Sequence, residues 1–158
     1  MSAAAAGHQL AFAPADEGDF EQLLALRLAA MRDSLERLGR FDPDRARQRL
    51  GRSFSPANTR HVLCDGQRVG FVAVTRGESL WRLDHLYVDP AMQHLGIGTW
   101  VIAQVLKEAD EEFCAVAVTA LKHSDANRFY LRHGFRLVDE SDWDLHYLRP
   151  ARRGGPVA

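Results

Sequence analysis

Cysteine is scarce in this chain: Cys64 and Cys114 are the only two. They stand far apart inside apolar, strand-like runs, which gives neither a disulfide framework nor a metal-ligand spacing. They read as buried core thiols of a reducing compartment, so the expected location is the cytoplasm. Long apolar runs are missing too. None approaches the roughly 20 residues of a membrane span. Met1–Gly7 is rich in alanine but lacks the basic and apolar regions of a signal peptide, and it reads as a frayed end. No charge dominates: 20 Lys and Arg face 21 Asp and Glu, for a net charge of -1. Such a balance gives no field that would gather nucleic acid or an anionic membrane. Lysine is almost absent, at Lys107 and Lys122, and the heavy use of arginine reflects genome composition, with a bacterial source expected.

What is present is an ordinary globular balance, 46% hydrophobic and 26% charged residues over 158 positions, enough for one domain with a real core. No repeat or linker divides it, so 1–158 is expected to be one domain with loose tails at 1–7 and 151–158. Residues 8–13 read as a first strand. Asp16 or Gly18 opens a helix whose Phe20, Leu23, Leu24, Leu28, Met31 and Leu35 recur at helical spacing. Asp42 and Pro43 start a second helix. Strands are expected at 61–64, 68–75 and 80–88, the first two joined by Asp65-Gly66. A helix follows the turn at Gly96 and Gly98, with Ile97, Val101, Val105 and Ala109 on one face beside Ile102 and Leu106. Phe113–Leu121 reads as a buried central strand. Ser124 caps a short helix that stops at Gly134, and strands at 135–139 and 143–149 close the chain. Hairpins on both sides of one crossover helix predict an α+β class with a mixed, mostly antiparallel sheet of six to seven strands and about four helices.

The informative segment runs from Leu86 to Thr99. A strand leads through a glycine-bearing loop into a helix start, where unpaired N–H groups and the helix dipole favour an anion. Glycine lets a phosphate approach the backbone closely. A nucleotide-hydrolysing loop would need Gly-Lys-Ser/Thr, but Gly98 is followed by Thr99 and Trp100. A dinucleotide loop would need a small residue where Val101 stands. A helix start that uses glycine only for tight packing stays open on spacing alone.

Gln93-His94-Leu95-Gly96-Ile97-Gly98, preceded by Leu-Tyr-Val-Asp-Pro, resembles the Gln/Arg-x-x-Gly-x-Gly/Ala signature of the GNAT superfamily of N-acetyltransferases. Asn127-Arg128-Phe129-Tyr130-Leu131-Arg132-His133-Gly134-Phe135 resembles that family's Asn…Tyr…Gly-Phe helix, and the match spans about residues 8–149. The resemblance implies the GNAT fold and acetyl-CoA as co-substrate, with no metal. Gln93, His94, Leu95, Gly96, Ile97, Gly98 and Thr99 would hold the pyrophosphate. Leu86 and Val88 would pair with the pantetheine arm, and Asn127 would bond its amide. Tyr130 would sit near the sulfur. A phenol near pKa ~10 facing a thiol near ~8.5 stabilises a departing thiolate by hydrogen bonding more readily than by full proton transfer.

The implied reaction moves the acetyl group to a primary amine of a small molecule or peptide. The amine must lose a proton. His85 and Asp84, on opposite faces of their strand, are the candidate bases, with a water relay as the alternative. The acceptor is expected over the first two helices and the last hairpin. Arg27, Arg32, Arg37, Arg40, Arg45, Arg47, Arg49 and Arg52 outnumber the acids there, and some of them could bind a carboxylate or phosphate. Arg32, Glu36 and Trp143 are the named candidates for acceptor contact, and Asp144, His146 and Tyr147 could wall its pocket. Alternatives are an acyl-CoA-binding regulatory domain without catalysis, or transfer of a longer acyl group. No nucleic-acid or membrane partner is expected, and the chain should be a monomer or homodimer.

Overall fold

The computed structural model describes residues 7–152. The tails expected to be loose lie outside that range, apart from Gly7, Ala151 and Arg152. The described residues form β1 (Leu10–Pro14), α1 (Phe20–Arg37), α2 (Pro43–Ser53), β2 (Thr59–Cys64), β3 (Gln67–Arg76), β4 (Leu80–Val88), α3 (Ile97–Glu111), β5 (Ala115–Leu121), α4 (Ala126–Arg132), β6 (Arg136–Glu140) and β7 (Asp144–Arg149). The strand order is β1-β2-β3-β4-β5-β7-β6. The β4–β5 pair runs parallel, while β1–β2, β2–β3, β5–β7 and β6–β7 run antiparallel. The fold is the expected α+β class with a seven-stranded, mostly antiparallel sheet.

Two compact units can be distinguished. Among the described residues, one comprises Gly7–Ala73 with His85–Val101, the other Val74–Asp84 with Ile102–Arg152. In the first unit, β2 and β3 are joined by Asp65 and Gly66, both left-handed at φ 51° and 83°. Two positive φ angles in a two-residue loop match the right-handed twist of the flanking strands. Helix α1 enters through a tight turn. The Asp16 side chain accepts from Gly18 N–H at 2.8 Å, and Asp16 N–H donates to Asp19 Oδ2 at 2.9 Å. Asp19 then reaches the sheet: His61 Nε2 lies 2.8 Å from Oδ2, and Arg68 Nη1 donates to Oδ1 at 3.1 Å. A carboxylate only accepts, so Nε2 of His61 carries the proton.

Leu23 and Leu24 of α1 pack with Ala46 and Leu50 of α2 and with Phe71 of β3, each large apolar side chain contributing about 1.5–3 kcal/mol when fully buried. Helix α2 begins as expected, with Arg45 N–H donating to Asp42 Oδ1 at 3.1 Å and Pro43 in its first turn. Gly70 has a strict steric role. A Cβ there would lie 2.4 Å from the Tyr87 carbonyl oxygen, so only glycine lets β3 approach β4 at this level.

In the second unit, β5 pairs with β4 through Leu80–Leu83 opposite Ala115–Val118, and with β7 along its length. Arg149, only 4% exposed, forms a two-pronged ion pair with Asp110 at 2.6 and 3.0 Å. Burial alone would raise the Asp110 pKa, but Arg149 and the Arg152 N–H outweigh it and hold the carboxyl below its usual range. Cys114 is buried here, as Cys64 is in the first unit.

Two sequence expectations need correction. Phe113 is 69% exposed and left-handed at φ 57°, so it ends the α3 segment and the strand starts at Ala115. Ser124 does not cap α4 with its oxygen; its hydroxyl donates to the Leu121 carbonyl at 2.7 Å.

The Asp19 pKa is lowered to about 2, first by the His61 hydrogen bond. A depressed carboxylate stabilises the fold above its unfolded-state pKa and loses that contribution as pH falls through the folded value. Asp19→Ala should therefore cost about 1–3 kcal/mol at pH 7. In urea denaturation series, the gap to the parent protein should narrow as pH drops from about 4 toward 2. A pH-independent gap would contradict this account.

Candidate active site

The glycine loop belongs to the first unit. At the end of β4, Asp89 Oδ1 accepts from Ala91 N–H at 2.9 Å and starts a short 3-10 turn, Pro90–Met92. Gln93 folds back, its Nε2 donating to the Val88 carbonyl at 3.2 Å. His94 and Gly96 are left-handed, at φ 67° and 81°, a conformation uncommon for a residue with a side chain. The Gly96 carbonyl accepts the first helical bond from Trp100 N–H at 3.0 Å. The N–H groups of Ile97, Gly98 and Thr99 consequently have no carbonyl partner within the helix. Ile97 and Val101 are fully buried, which fixes the helix start, and Leu86 and Val88 lead into it on β4. Such a helix end, with main-chain N–H groups unpaired within the helix, is of the kind that favours an anion.

His85 lies on β4 in the same unit, on the face opposite Asp84. Its Nε2 is 3.0 Å from Ser53 Oγ at the end of α2. Its Nδ1 is 3.5 Å from the Tyr87 hydroxyl, at the outer edge of hydrogen-bond range. Tyr87 in turn accepts from Arg27 Nε of α1 at 3.2 Å, and Arg27 Nη1 donates to the Ala46 carbonyl at 3.3 Å. A polar chain thus connects α1, β4 and α2, running from the buried Arg27 to the exposed Ser53. Sequence reasoning singled out His85 but not Tyr87 or Ser53, and it held Arg27 only as one of eight arginines expected near the acceptor, without its burial. The available signal was its place four residues after Leu23, on the apolar stripe.

The other candidates on α1 are solvated. Arg32 Nε and Glu36 Oε2 pair along the helix at 3.3 Å with both side chains exposed, and Arg32 also lies over the Phe41 ring. A cleft of about 280 Å³ between α1 and β3 is lined by Gln22, Ala25, Arg68, Gly70 and Asp89 among others; it holds none of the residues proposed from sequence. Of possible metal ligands, His8, Cys64 and Asp65 have donor atoms within 4.8 Å of one another among the described residues. His8 already bonds Asp65 there at 2.7 Å.

The second unit carries Asp84, Asn127, Tyr130 and Trp143. Asp84 accepts from Thr75 Oγ1 at 2.5 Å and Arg82 Nε at 2.8 Å, so it is occupied by its own hairpin. Asn127 Nδ2 donates to the carbonyls of Leu121 and Ser124 at 2.9 and 3.0 Å, while its Oδ1 accepts from Tyr147 at 2.8 Å. This side chain ties α4 to β5 and β7. Burial raises the Tyr147 pKa, which keeps the phenol a donor. Tyr130 is buried among the rings of Phe129, Phe135 and Tyr147. His146 bonds Thr119 and Ser141, and Trp143 is 46% exposed.

A family model described as an acetyltransferase (GNAT) domain matches residues 30–144. The chain belongs to that family. No curated protein matches the sequence, but solved structures share the GNAT fold. The PaiA N-acetyltransferase of Thermoplasma acidophilum, solved with coenzyme A, superposes at a TM-score of 0.73 with 14% identity, over 90% of this chain and 99% of its own. Ard1 of Thermoplasma volcanium gives 0.68 with 18% identity over 91% and 99%. An acetyltransferase of Thermus thermophilus gives 0.67 with 20% identity over 89% and 96%. At such identities the likeness concerns the fold. Among the described residues, no helix of this GNAT chain is long and apolar enough to cross a membrane.

Asn127→Ala should lower stability by about 1–3 kcal/mol, because it leaves the Tyr147 hydroxyl without its acceptor and removes the side-chain bonds that tie α4 to the Leu121 and Ser124 carbonyls. Thermal unfolding checks this. An unchanged melting temperature would mean that the three bonds hold nothing.

Proposed function

We propose that this GNAT protein is an acetyl-CoA-dependent N-acetyltransferase whose acceptor is the primary amine of a small molecule or peptide. The observation that carries the reading is the helix start at Ile97, with its unpaired N–H groups behind a left-handed His94 and Gly96. Such a start suits the pyrophosphate of coenzyme A. Gln93, His94, Leu95, Gly96, Ile97, Gly98 and Thr99 are assigned to it, and the main chain at Leu86 and Val88 to the pantetheine arm. A β4 N–H there would steady the negative charge that develops on the thioester oxygen.

In the proposed reaction, the neutral amine attacks the thioester carbonyl directly within a ternary complex. The new C–N bond forms, the C–S bond breaks, and the coenzyme leaves as a thiolate. The amine gives up one proton, for which His85 is the preferred acceptor. Asp84 is the weaker candidate because Arg82 and Thr75 already hold it. Tyr130 is assigned to hydrogen bonding with the departing sulfur. Asn127 is assigned to coenzyme contact through whatever capacity its internal bonds leave.

Acetyl-CoA should raise the melting temperature, as a ligand of the native state does, and CoA release should be seen with at least one amine from a panel of amino acids, polyamines, amino sugars and peptides. Binding without turnover across the panel would favour an acyl-CoA-binding regulatory domain; neither binding nor turnover would overturn the reading. His85→Gln should lower kcat about 10²- to 10⁴-fold, the usual weight of a general base, and remove the acidic limb of the pH–rate profile. An unchanged profile would take the role away from His85.

A further inference from the structure

Two arginines among the described residues are more than nine-tenths buried, Arg149 at 4% exposure and Arg27 at 8%. A desolvated cation needs a partner charge. Arg149 has one in Asp110, which meets it with both oxygens. Arg27 has only a phenol and a carbonyl, Tyr87 and Ala46, as hydrogen-bond partners. No acidic side chain reaches it among the described residues. Acids of the α1 segment are paired with other residues: Asp19 with His61 and Arg68, Glu21 with Arg47, Glu36 with Arg32. Nη2 of Arg27 bonds no protein atom among the described residues, and it is not one of the enclosed atoms left without a partner. It therefore keeps an opening to solvent.

We propose that Arg27 is the receptor for a carboxylate on the acceptor amine, so that the substrate class is an amino acid or another amine bearing a free carboxylate. This rests on the acetyltransferase reading above and narrows it. One uncompensated positive charge matches a monoanion. The donors at hand are also two, Nη2 of Arg27 and the hydroxyl of Tyr87, which suits the two oxygens of a carboxylate better than the three of a phosphate dianion. Tyr87 lies between Arg27 and His85. A carboxylate held there would bring the rest of the acceptor to the same face of β4 as His85. Arg27 and Tyr87 are thus specificity residues that bind the acceptor away from its reacting nitrogen.

The test uses matched acceptors: glycine, β-alanine, glutamate and a peptide with a free C-terminus, each beside its carboxamide. CoA release gives kcat/KM for each member, and thermal unfolding with coenzyme A present gives binding without chemistry. The parent protein should favour the acid of at least one pair by about 10- to 100-fold, the weight of a charge-assisted hydrogen bond. In Arg27→Gln that ratio should fall toward one, mainly through KM, and acid-dependent stabilisation should vanish while the shift with acetyl-CoA persists. If Arg27→Gln does not fold, Tyr87→Phe keeps the packing and should reduce the same ratio several-fold. No acid preference in the parent protein, or equal losses for acid and amide in both variants, would overturn the proposal. Acid-selective, Arg27-dependent stabilisation without any CoA release would keep the receptor and reject the acetyltransferase reading. Absence of both would reject the receptor.

Discussion

The carboxylate of Asp19 fixes the geometry from which the rest of the first unit follows. It collects a main-chain N–H from the turn before α1, His61 from β2 and Arg68 from β3. A helix could otherwise rotate about its axis or slide along an apolar surface at little cost, because dispersion and hydrophobic contacts have no direction. Three converging hydrogen bonds to one anion remove that freedom at the N-terminal end of α1. Leu23 and Leu24 then face Phe71 and α2, and Arg27, one turn further on, is carried inward to Tyr87. The burial of Arg27 is thus a consequence of how α1 is anchored, and not of any affinity of arginine for the core.

The unit handles charge in two different ways. At the glycine loop, positive potential comes from main-chain N–H groups whose number and direction are set by the helix start. No side chain has to be ordered, and the buried Ile97 and Val101 hold the amides still. At the Arg27 chain, positive potential comes from a side chain placed by tertiary packing and tied down by neutral partners. The first device is suited to a ligand part that never changes, such as a pyrophosphate. The second can be altered by one substitution, which is what divergence of acceptor choice on a shared fold requires.

This difference explains what was legible in the sequence. The loop motif, the Asp65-Gly66 turn, the Asp42-Pro43 helix start and the α3 stripe depend on local backbone rules, and each stands where those rules put it. The α+β class followed from their order. Phe113 misled because an apolar run does not reveal that its first residue will take a left-handed helix end. Ser124 misled because a hydroxyl near a helix start can donate backward to a carbonyl as well as accept. Arg27, Tyr87 and Ser53 were invisible as a group, since their contacts span three elements distant in sequence. Gly70 gave no signal at all, because its need for glycine comes from a carbonyl on another strand.

The polar chain from Arg27 to Ser53 also constrains how His85 can act. If Ser53 turns its hydroxyl hydrogen toward the carbonyls of Arg49 and Leu50, both within 3.4 Å, its oxygen accepts from Nε2–H of His85. Nδ1 then keeps its lone pair toward Tyr87. The reverse polarity would have Ser53 donate to Nε2 and give up its carbonyl contacts. The two helix carbonyls therefore favour the tautomer with Nδ1 basic. Arg27 works in the same direction from the far end: by donating to the Tyr87 oxygen, it leaves that hydroxyl's hydrogen to be given away, either to Nδ1 or to an incoming carboxylate. An acceptor that takes the Tyr87 hydrogen would release Nδ1 from its weak 3.5 Å contact. Binding of the acid and loosening of the Tyr87–His85 contact would then be one event, confined to residues that α1, α2 and β4 already hold in register.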